Sequence, residues 1–358
     1  MAGFAHQSRR AREGAAARTL RARMVERIAA NGGLSDPAWR AAFADVPRHL
    51  FVASSEAPSE DTLEESGEEP GEEFGLEESG EEFREDLEPG AHLAPGPDPY
   101  EAHAGGWWGR RARLLAEAYA DRPIATRVVG GELVSSSSQP SLMALMCEAL
   151  EVREGQRVLE IGAGTGYNAA LLAHRLGPGT VTTIDLEPEI TSAARAHLDA
   201  YGTPQARSVA VVTGDGALGW PPNAPYDRIM ATCELPSVPP AWLEQCAPGG
   251  LVLAPVATGL VLLRVAGPGC AEGRFLDTPA YFVPLRGGGA GAATAPFDAG
   301  ARADRTRYGL SVDGPRQWIW RDRPDGPRTW PLTAPGAPDA PGGPGAVRGR
   351  YRRPGTYR

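Results

Sequence analysis

The chain of 358 residues contains no lysine: all 36 of its basic residues are arginine. That excludes Schiff-base chemistry and a phosphate-binding loop built on a lysine. Its four cysteines, Cys147, Cys233, Cys246 and Cys270, form no CxxC pair, and its six histidines form no HxxxH or HxH cluster. Zinc-ligand spacing is therefore missing, and a disulfide framework is not expected in a chain of this size. No uninterrupted apolar run reaches the roughly 18 residues of a membrane span. The opening stretch, MAGFAHQSRRAREGAAARTLRARM, is arginine-rich and lacks an apolar h-region. A secretory signal is not expected, and the cytoplasm is the expected place of action.

What is present is enough for a core. Hydrophobic residues make up 42% of the chain, which suits one large domain or two ordinary ones. Glycine (45) and proline (34) are plentiful, which predicts long irregular stretches beside that core. The net charge of −9 is uneven: 17 acids and one base, Arg84, stand between Glu56 and Asp98, so the rest of the chain is positive in balance. This stretch repeats LEESGEE at Leu63 and Leu76, with only Phe74 and Phe83 as aromatics. It holds too little apolar area to offset its ordering entropy. It reads as a solvated insert over 55–106, or as a segment that folds back onto a positive surface or mimics an acidic substrate. The net charge disfavours a specific nucleic-acid partner, although the arginine-rich termini could touch phosphates.

The remaining organisation follows from periodicity. Leu20, Met24, Val25 and Ile28 lie at helical spacing, so 17–31 is predicted helical, with a short helix over 37–44 in an N-terminal helical region (1–54). From Arg157 the pattern alternates. QRVLEIG, TVTTIDL, SVAVVTGD, DRIMATC, GGLVLAPV and GLVLLRVA read as strands, and TGYNAALLAHRL and EPEITSAARAHLDAY as helices. Such alternation predicts an α/β core over 107–286, a doubly wound, Rossmann-like, mostly parallel sheet of seven strands. A flexible linker (287–304), a small β appendage carrying Trp318, Trp320 and Trp330 (305–333) and a Pro/Gly/Arg-rich tail (334–358) complete the expected order.

The chemistry begins at the first strand-to-helix turn, VLEIGAGTGYN. Gly162, Gly164 and Gly166 let the backbone approach a ligand, and the next helix offers free N–H groups. A nicotinamide-binding turn would place a third glycine at 167, where Tyr167 stands, so a dinucleotide oxidoreductase is disfavoured. Asp185 closes the second strand, where a carboxylate can accept both ribose hydroxyls, and Asp215 follows the third, where it could accept from an adenine amino group. Glu160 with the three glycines and these two acids, each at a strand's carboxyl end, is a far stronger signal than a glycine triplet.

This set resembles class I S-adenosylmethionine-dependent methyltransferases, and the flanking segments resemble the protein-L-isoaspartate O-methyltransferase family. VPRHLFV, AYADRPI, SSSSQPSLMALM, GDGALGWPPNAPYDRIMAT, PPAWLEQCAPGGLVLAPV and YFVPL are similar to its successive motifs in order. The resemblance implies S-adenosyl-L-methionine as cofactor. It places Gly162 and Gly164 under the methionine end, with Glu160 fixing that end, Asp185 on the ribose and Asp215 on the adenine. Gly166, Tyr167, Leu186 and Gly216 join the same set. Ser136 stands for the family's threonine and Ser138 for the serine facing the substrate carboxylate; this pair is assigned the catalytic contacts. Gln139, Pro140, Thr232 and Cys233 are assigned to substrate. The family's Gly-His-Gly-Gln is replaced by Glu132, Leu133, Val134 and Ser135.

The implied substrate is a protein or peptide bearing an isoaspartyl or aspartyl carboxylate, whose methyl ester can collapse to a succinimide. A related reading, shared with actinobacterial relatives that tailor ribosomally made peptides such as graspetide and lanthipeptide precursors, puts the ester on an ordinary aspartate. A non-catalytic nucleoside-binding module remains open. So does a purely structural reading of the serines, with Ser138 as N-cap and Pro140 in the first turn of a helix. Cys233 reads equally as a small core residue, and His49 as a packed residue.

Overall fold

The computed structural model describes residues 2–52, 107–287 and 304–332. The acidic insert and the arginine-rich tail expected from the sequence lie outside them, as does the linker apart from Gly287 and Asp304. The chain falls into two units. The first is formed by Met1–Glu148, Gly164–Gly179 and Ser192–Val209, the second by Ala149–Ala163, Thr180–Thr191 and Ala210–Arg358.

The first unit begins with helix α1 (Ala2–Ala30), whose Ala17, Met24, Val25 and Ile28 are buried at the expected spacing. It ends where Gly32 takes a positive φ of 89°. Helix α2 (Pro37–Asp45) starts cleanly because Asp36 accepts the Ala38 N–H at 2.8 Å and Pro37 sets the first turn. Helices α3 (His49–Val52) and α4 (Trp107–Ala118) follow, then a two-stranded antiparallel hairpin of β1 (Ile124–Val129) and β2 (Glu132–Ser137). The SSSSQP run is thus half strand. Its tail feeds α5 (Pro140–Ala149), with Ser135 and Ser137 turned inward and Ser136 and Ser138 half-buried.

Helix α6 (Tyr167–Leu176) lies in this unit, while α7 (Pro188–Tyr201) begins in the second unit and continues in the first. The short α8 (Pro204–Arg207) is capped by the Thr203 hydroxyl.

The second unit is a ten-stranded sheet in the order β12-β11-β10-β9-β8-β7-β6-β3-β4-β5. Its strands are β3 (Val158–Ile161), β4 (Val181–Asp185), β5 (Ala210–Thr213), β6 (Tyr226–Ala231), β7 (Cys246–Val256), β8 (Gly259–Gly267), β9 (Cys270–Pro279), β10 (Tyr308–Asp313), β11 (Arg316–Arg321) and β12 (Thr329–Leu332), with the short helix α9 (Pro240–Gln245) before β7. From β5 to β7 neighbours are parallel, and from β7 to β12 antiparallel. Strand β3 is buried along its whole length, the pattern a doubly covered parallel strand demands.

The sheet differs from the seven-stranded expectation in its far edge. The residues expected as an appendage pair onto β9 in continuous register, from Gly309 opposite Arg274 to Asp313 opposite Cys270. Their tryptophans supply the reason. Trp320 crosses its strand partner Gly309 where no Cβ would fit, donates to Ser311 Oγ at 3.0 Å and carries the Arg274 guanidinium 4.9 Å over its ring. Leu310, Val312, Ile319 and Leu332 join one core with β6 to β9. YFVPL, expected as a closing strand, makes only a bridge between Glu234 and Pro284. Pro284 deprives it of a ladder donor.

Candidate active site

In the sheet, β3 leads to β4 and β5 on one side, whereas β6 and β7 lie on the other. The chain direction across the sheet therefore reverses between β3 and β6. The crevice outside the carboxyl ends at such a reversal is where open α/β sheets bind ligands. Gly162, Asp185, Asp215 and Thr232 stand at or just past the carboxyl ends of these strands.

Gly162 follows β3 with φ +100°. A Cβ there would lie 2.6 Å from Thr232 Oγ1, so both conformation and space require glycine. The turn is pinned by Gly162 and Ala163 N–H groups donating to the Ile184 carbonyl at 2.9 and 3.1 Å. Thr232, leaving β6, donates its hydroxyl to the carbonyls of Ile161 (3.1 Å) and Gly162 (2.9 Å). It acts as a lock on the turn, and its hydroxyl hydrogen is spent there.

Asp185 ends β4, half-buried, with Oδ1 accepting from Leu186 N–H at 2.9 Å. Asp215, after β5, caps a single 3₁₀ turn by accepting the Ala217 N–H at 2.9 Å. Gly216 begins that turn, packed so closely on Ile161 that a Cβ would meet Cγ2 at 2.7 Å, with its carbonyl accepting from Trp242 Nε1 at 2.8 Å. Glu160 is buried in β3 and receives the Thr183 hydroxyl at 2.6 Å. Two carboxylates at adjacent strand ends beside a side-chain-free turn fit an adenosyl group, with hydroxyl and amino donors to receive.

Cys233 is buried, and burial, aided by Asp185, pushes its thiol far above the ordinary range. It is a core residue without thiolate character. Its neighbour Glu234 is half-buried, and burial holds its carboxyl above the usual value. Such a group favours folding below the ordinary carboxylate pKa and loses that contribution as pH rises through its raised value. Glu234→Gln is expected to raise the melting temperature at pH ~7 and to leave it unchanged at pH ~3, below the ordinary carboxylate pKa. Calorimetric melts at the two pH values read the difference; an equal gain at both would refute the assignment.

In the first unit, Gly164 brings the second half of the turn against the serine strand: a Cβ there would lie 3.4 Å from the Ser136 carbonyl. Gly166, at φ +83°, precedes α6 and lets it run close to α7, where a Cβ would meet the Ala194 carbonyl at 3.1 Å. Tyr167, expected among the cofactor residues, is placed otherwise. Its ring is 3% exposed and packs against Phe51 (5.6 Å between centroids) and Phe43 (6.4 Å), and burial drives its hydroxyl strongly up in pKa. Only its backbone stays at the turn, where its N–H meets Thr165 Oγ1 at 3.4 Å.

The start of α5 also differs from the reading that made Ser138 its cap. Asp121, from 20 residues upstream, accepts the Ser141 N–H at 2.8 Å. Gln139 gives its amide hydrogens to Asp121 (3.3 Å) and Ser141 (2.9 Å), so it shapes the turn, while buried Pro140 sets the first helical residue. Ser138 is thereby released from capping.

Arg48, from VPRHLFV, was not singled out by the sequence. Its side chain is fully buried. Nη1 donates to the carbonyls of Ala118 (2.8 Å) and Ala120 (3.2 Å), and Nη2 to those of Arg122 (3.2 Å), Ser137 (3.3 Å) and Ser138 (3.1 Å). One guanidinium thus ties the end of α4 to the strand carrying the serines. Burial lowers its pKa, against the raising influence of Tyr167, Asp121 and Tyr119.

The fold and this set of residues define an α/β methyltransferase. A family model described as "Protein-L-isoaspartate(D-aspartate) O-methyltransferase (PCMT)" matches residues 110–269. The protein-L-isoaspartate O-methyltransferase of Anaeromyxobacter dehalogenans is 44% identical over 177 residues, covering 48% of this chain and 80% of that one. Protein-L-isoaspartate O-methyltransferase 1 of Archaeoglobus fulgidus is 38% identical over 176 residues, covering 49% and 78%. A solved structure titled as a protein-L-isoaspartate O-methyltransferase superposes with a TM-score of 0.53 at 24% identity, over 75% of this chain and 66% of that chain, a likeness of fold. The chain belongs to the protein-L-isoaspartate O-methyltransferase family.

Proposed function

We propose that this protein transfers a methyl group from S-adenosyl-L-methionine to a side-chain carboxylate of a protein or peptide, in the cytoplasm. Among the described residues, no helix is long and apolar enough to cross a membrane. The observation that carries the reading is the pairing of the Gly162 turn with Asp185 and Asp215 at the carboxyl ends of β3, β4 and β5, beside the reversal in strand order. S-adenosyl-L-methionine supplies the electrophilic methyl on its sulfonium when bound. Asp185 would accept the ribose hydroxyls and Asp215 the adenine amino group, and Glu160, Gly162, Leu186 and Gly216 would complete the cradle.

The acceptor needs no base. A carboxylate with a pKa of about 4 is ionised near neutrality, so the protein's contribution is alignment. Ser136 and Ser138 donate to that carboxylate and hold it without quenching its charge. The three histidines with described side chains suit this division of labour. His49 bonds the Tyr119 hydroxyl (2.7 Å), His174 bonds Asp45 (3.1 Å) and His197 bonds the Thr165 carbonyl (2.9 Å).

A peptide acceptor is supported by the hairpin that leads into the serines. Val128 and Leu133 face each other across it and, with Val129, are about half exposed. They offer an apolar rest for a chain, where the family's Gly-His-Gly-Gln would stand at 132–135. That departure favours an ordinary aspartate within a particular peptide as a second acceptor beside isoaspartate. Parallel assays on an isoaspartyl peptide and on a constrained aspartate-rich peptide separate the two. Transfer to the second alone would remove the isoaspartyl reading, and transfer to neither would remove both.

A further inference from the structure

The sheet extension supplies a tie to the active-site crevice that the matched family segment, ending at residue 269, does not contain. Gln317 lies on β11, 2% exposed. Its Oε1 accepts the Val238 N–H at 2.8 Å, and its Nε2 donates to the Val238 carbonyl at 2.6 Å. A side-chain amide has thereby paired with both backbone groups of one residue, as a strand neighbour would. Val238 ends the segment that leaves β6 at Thr232. The other end of the segment holds the Gly162 turn through the Thr232 hydroxyl. Between these ends, Glu234 is bracketed by Val283 and Leu285, and Leu235 N–H bonds the Pro255 carbonyl at 2.9 Å. Ser237 is 2% exposed with its hydroxyl lacking a partner, so the segment's own side chains do not secure its far end.

We propose that Gln317 is a positioning residue for substrate, fixing residues 232–238 as one wall of the crevice and thereby setting which carboxylate-bearing peptides are accepted. The reading rests on the methyl transfer proposed above. Position follows from the strand order: the segment leaves the carboxyl end of β6, one side of the reversal, while the Gly162 turn leaves β3 on the other. Thr232, Glu234 and Pro236 alternate as the half-buried members of the segment, with Cys233, Leu235 and Ser237 buried beneath. Asp185 and Asp215, which carry the cofactor, leave β4 and β5 on the far side of β3. The Thr232 end keeps its own bonds to the Ile161 and Gly162 carbonyls when Val238 is released, so loosening the far end of the wall acts on the peptide and spares the nucleoside.

Gln317→Met keeps the volume and removes both bonds. The expected result is a roughly tenfold rise in KM for the peptide, with kcat and the affinity for S-adenosylhomocysteine unchanged within about twofold. Trp330→Ala, which removes packing from β12 and leaves the Val238 tie in place, lowers the melting temperature without the rise in KM. Hydrogen exchange of Gln317→Met quickens at 234–238 and stays as in the wild type at 162–163 and 186. In the wild-type protein, peptide binding protects 233–238, a readout that needs no variant. A matching rise in KM for Trp330→Ala, a loss of S-adenosylhomocysteine affinity in Gln317→Met, or no protection of 233–238 by a peptide that is turned over would overturn the proposal. Absence of transfer by the wild type, with the exchange at 234–238 still dependent on Gln317, would instead count against the methyl-transfer reading.

Discussion

Asp185→Ala is expected to weaken S-adenosylhomocysteine binding about a hundredfold or more. A carboxylate accepting two hydroxyls contributes charge-assisted bonds of roughly 1.5–3 kcal/mol each, and tenfold in affinity corresponds to about 1.4 kcal/mol. In the structure Oδ1 accepts the adjacent Leu186 N–H. Circular dichroism beside the calorimetric titration checks that the variant keeps its fold. Ser138→Ala is the paired control: it should leave this affinity within about threefold and lower kcat/KM for the peptide, because the proposed function gives its hydroxyl to the acceptor. Equal loss of nucleoside affinity in the two variants would show that the roles have been wrongly divided.

Arg48→Met is expected to cost about 3–5 kcal/mol of unfolding free energy, because several buried carbonyls lose one shared charged donor. Methionine fills much of the volume and leaves the carbonyls of Ala118, Ala120, Arg122, Ser137 and Ser138 without their shared donor. Each unsatisfied buried carbonyl costs on the order of 1–3 kcal/mol before relaxation. Arg48→Lys should be intermediate, because an ammonium has three donors in a small sphere and cannot span the same carbonyls. Urea unfolding reads both; a loss under about 1 kcal/mol for methionine would mean that water or backbone movement satisfies those carbonyls.

These two residues mark what sequence could and could not disclose. The place of Asp185 was legible because it is local: a carboxylate that closes an apolar strand is positioned by the strand itself, and it does end β4. The alternation of strands and helices was legible for the same reason, since burial on both faces writes a continuous apolar run such as Val158–Ile161. Arg48 was not, because its five acceptors lie 70 to 90 residues away, and no pattern near Pro47 signals that an arginine will be wholly buried. Gln317 is similar: its partner is 79 residues distant.

The joining of β10 to β9 was hidden by the linker between them, and tryptophans at a hairpin do not reveal which edge they will cover. Tyr167 shows the opposite failure. Its position in the glycine motif suggested a ligand contact, yet the first residue of a helix presents its backbone to the turn, and the ring was free to join Phe43 and Phe51 in the core. Gln139, assigned to substrate, bonds Asp121 and Ser141 at the start of α5, and Asp121 accepts the Ser141 N–H that a capping Ser138 would have taken.

The central claim is that this protein makes carboxyl methyl esters from S-adenosyl-L-methionine. Incubation of the full chain with methyl-labelled S-adenosyl-L-methionine and an isoaspartyl or aspartate-rich peptide tests it most directly, read as volatile methanol released by mild alkali. The account predicts alkali-labile label on the peptide, abolished in Asp185→Ala. Label that resists alkali, or no label although S-adenosylhomocysteine binds, would contradict it.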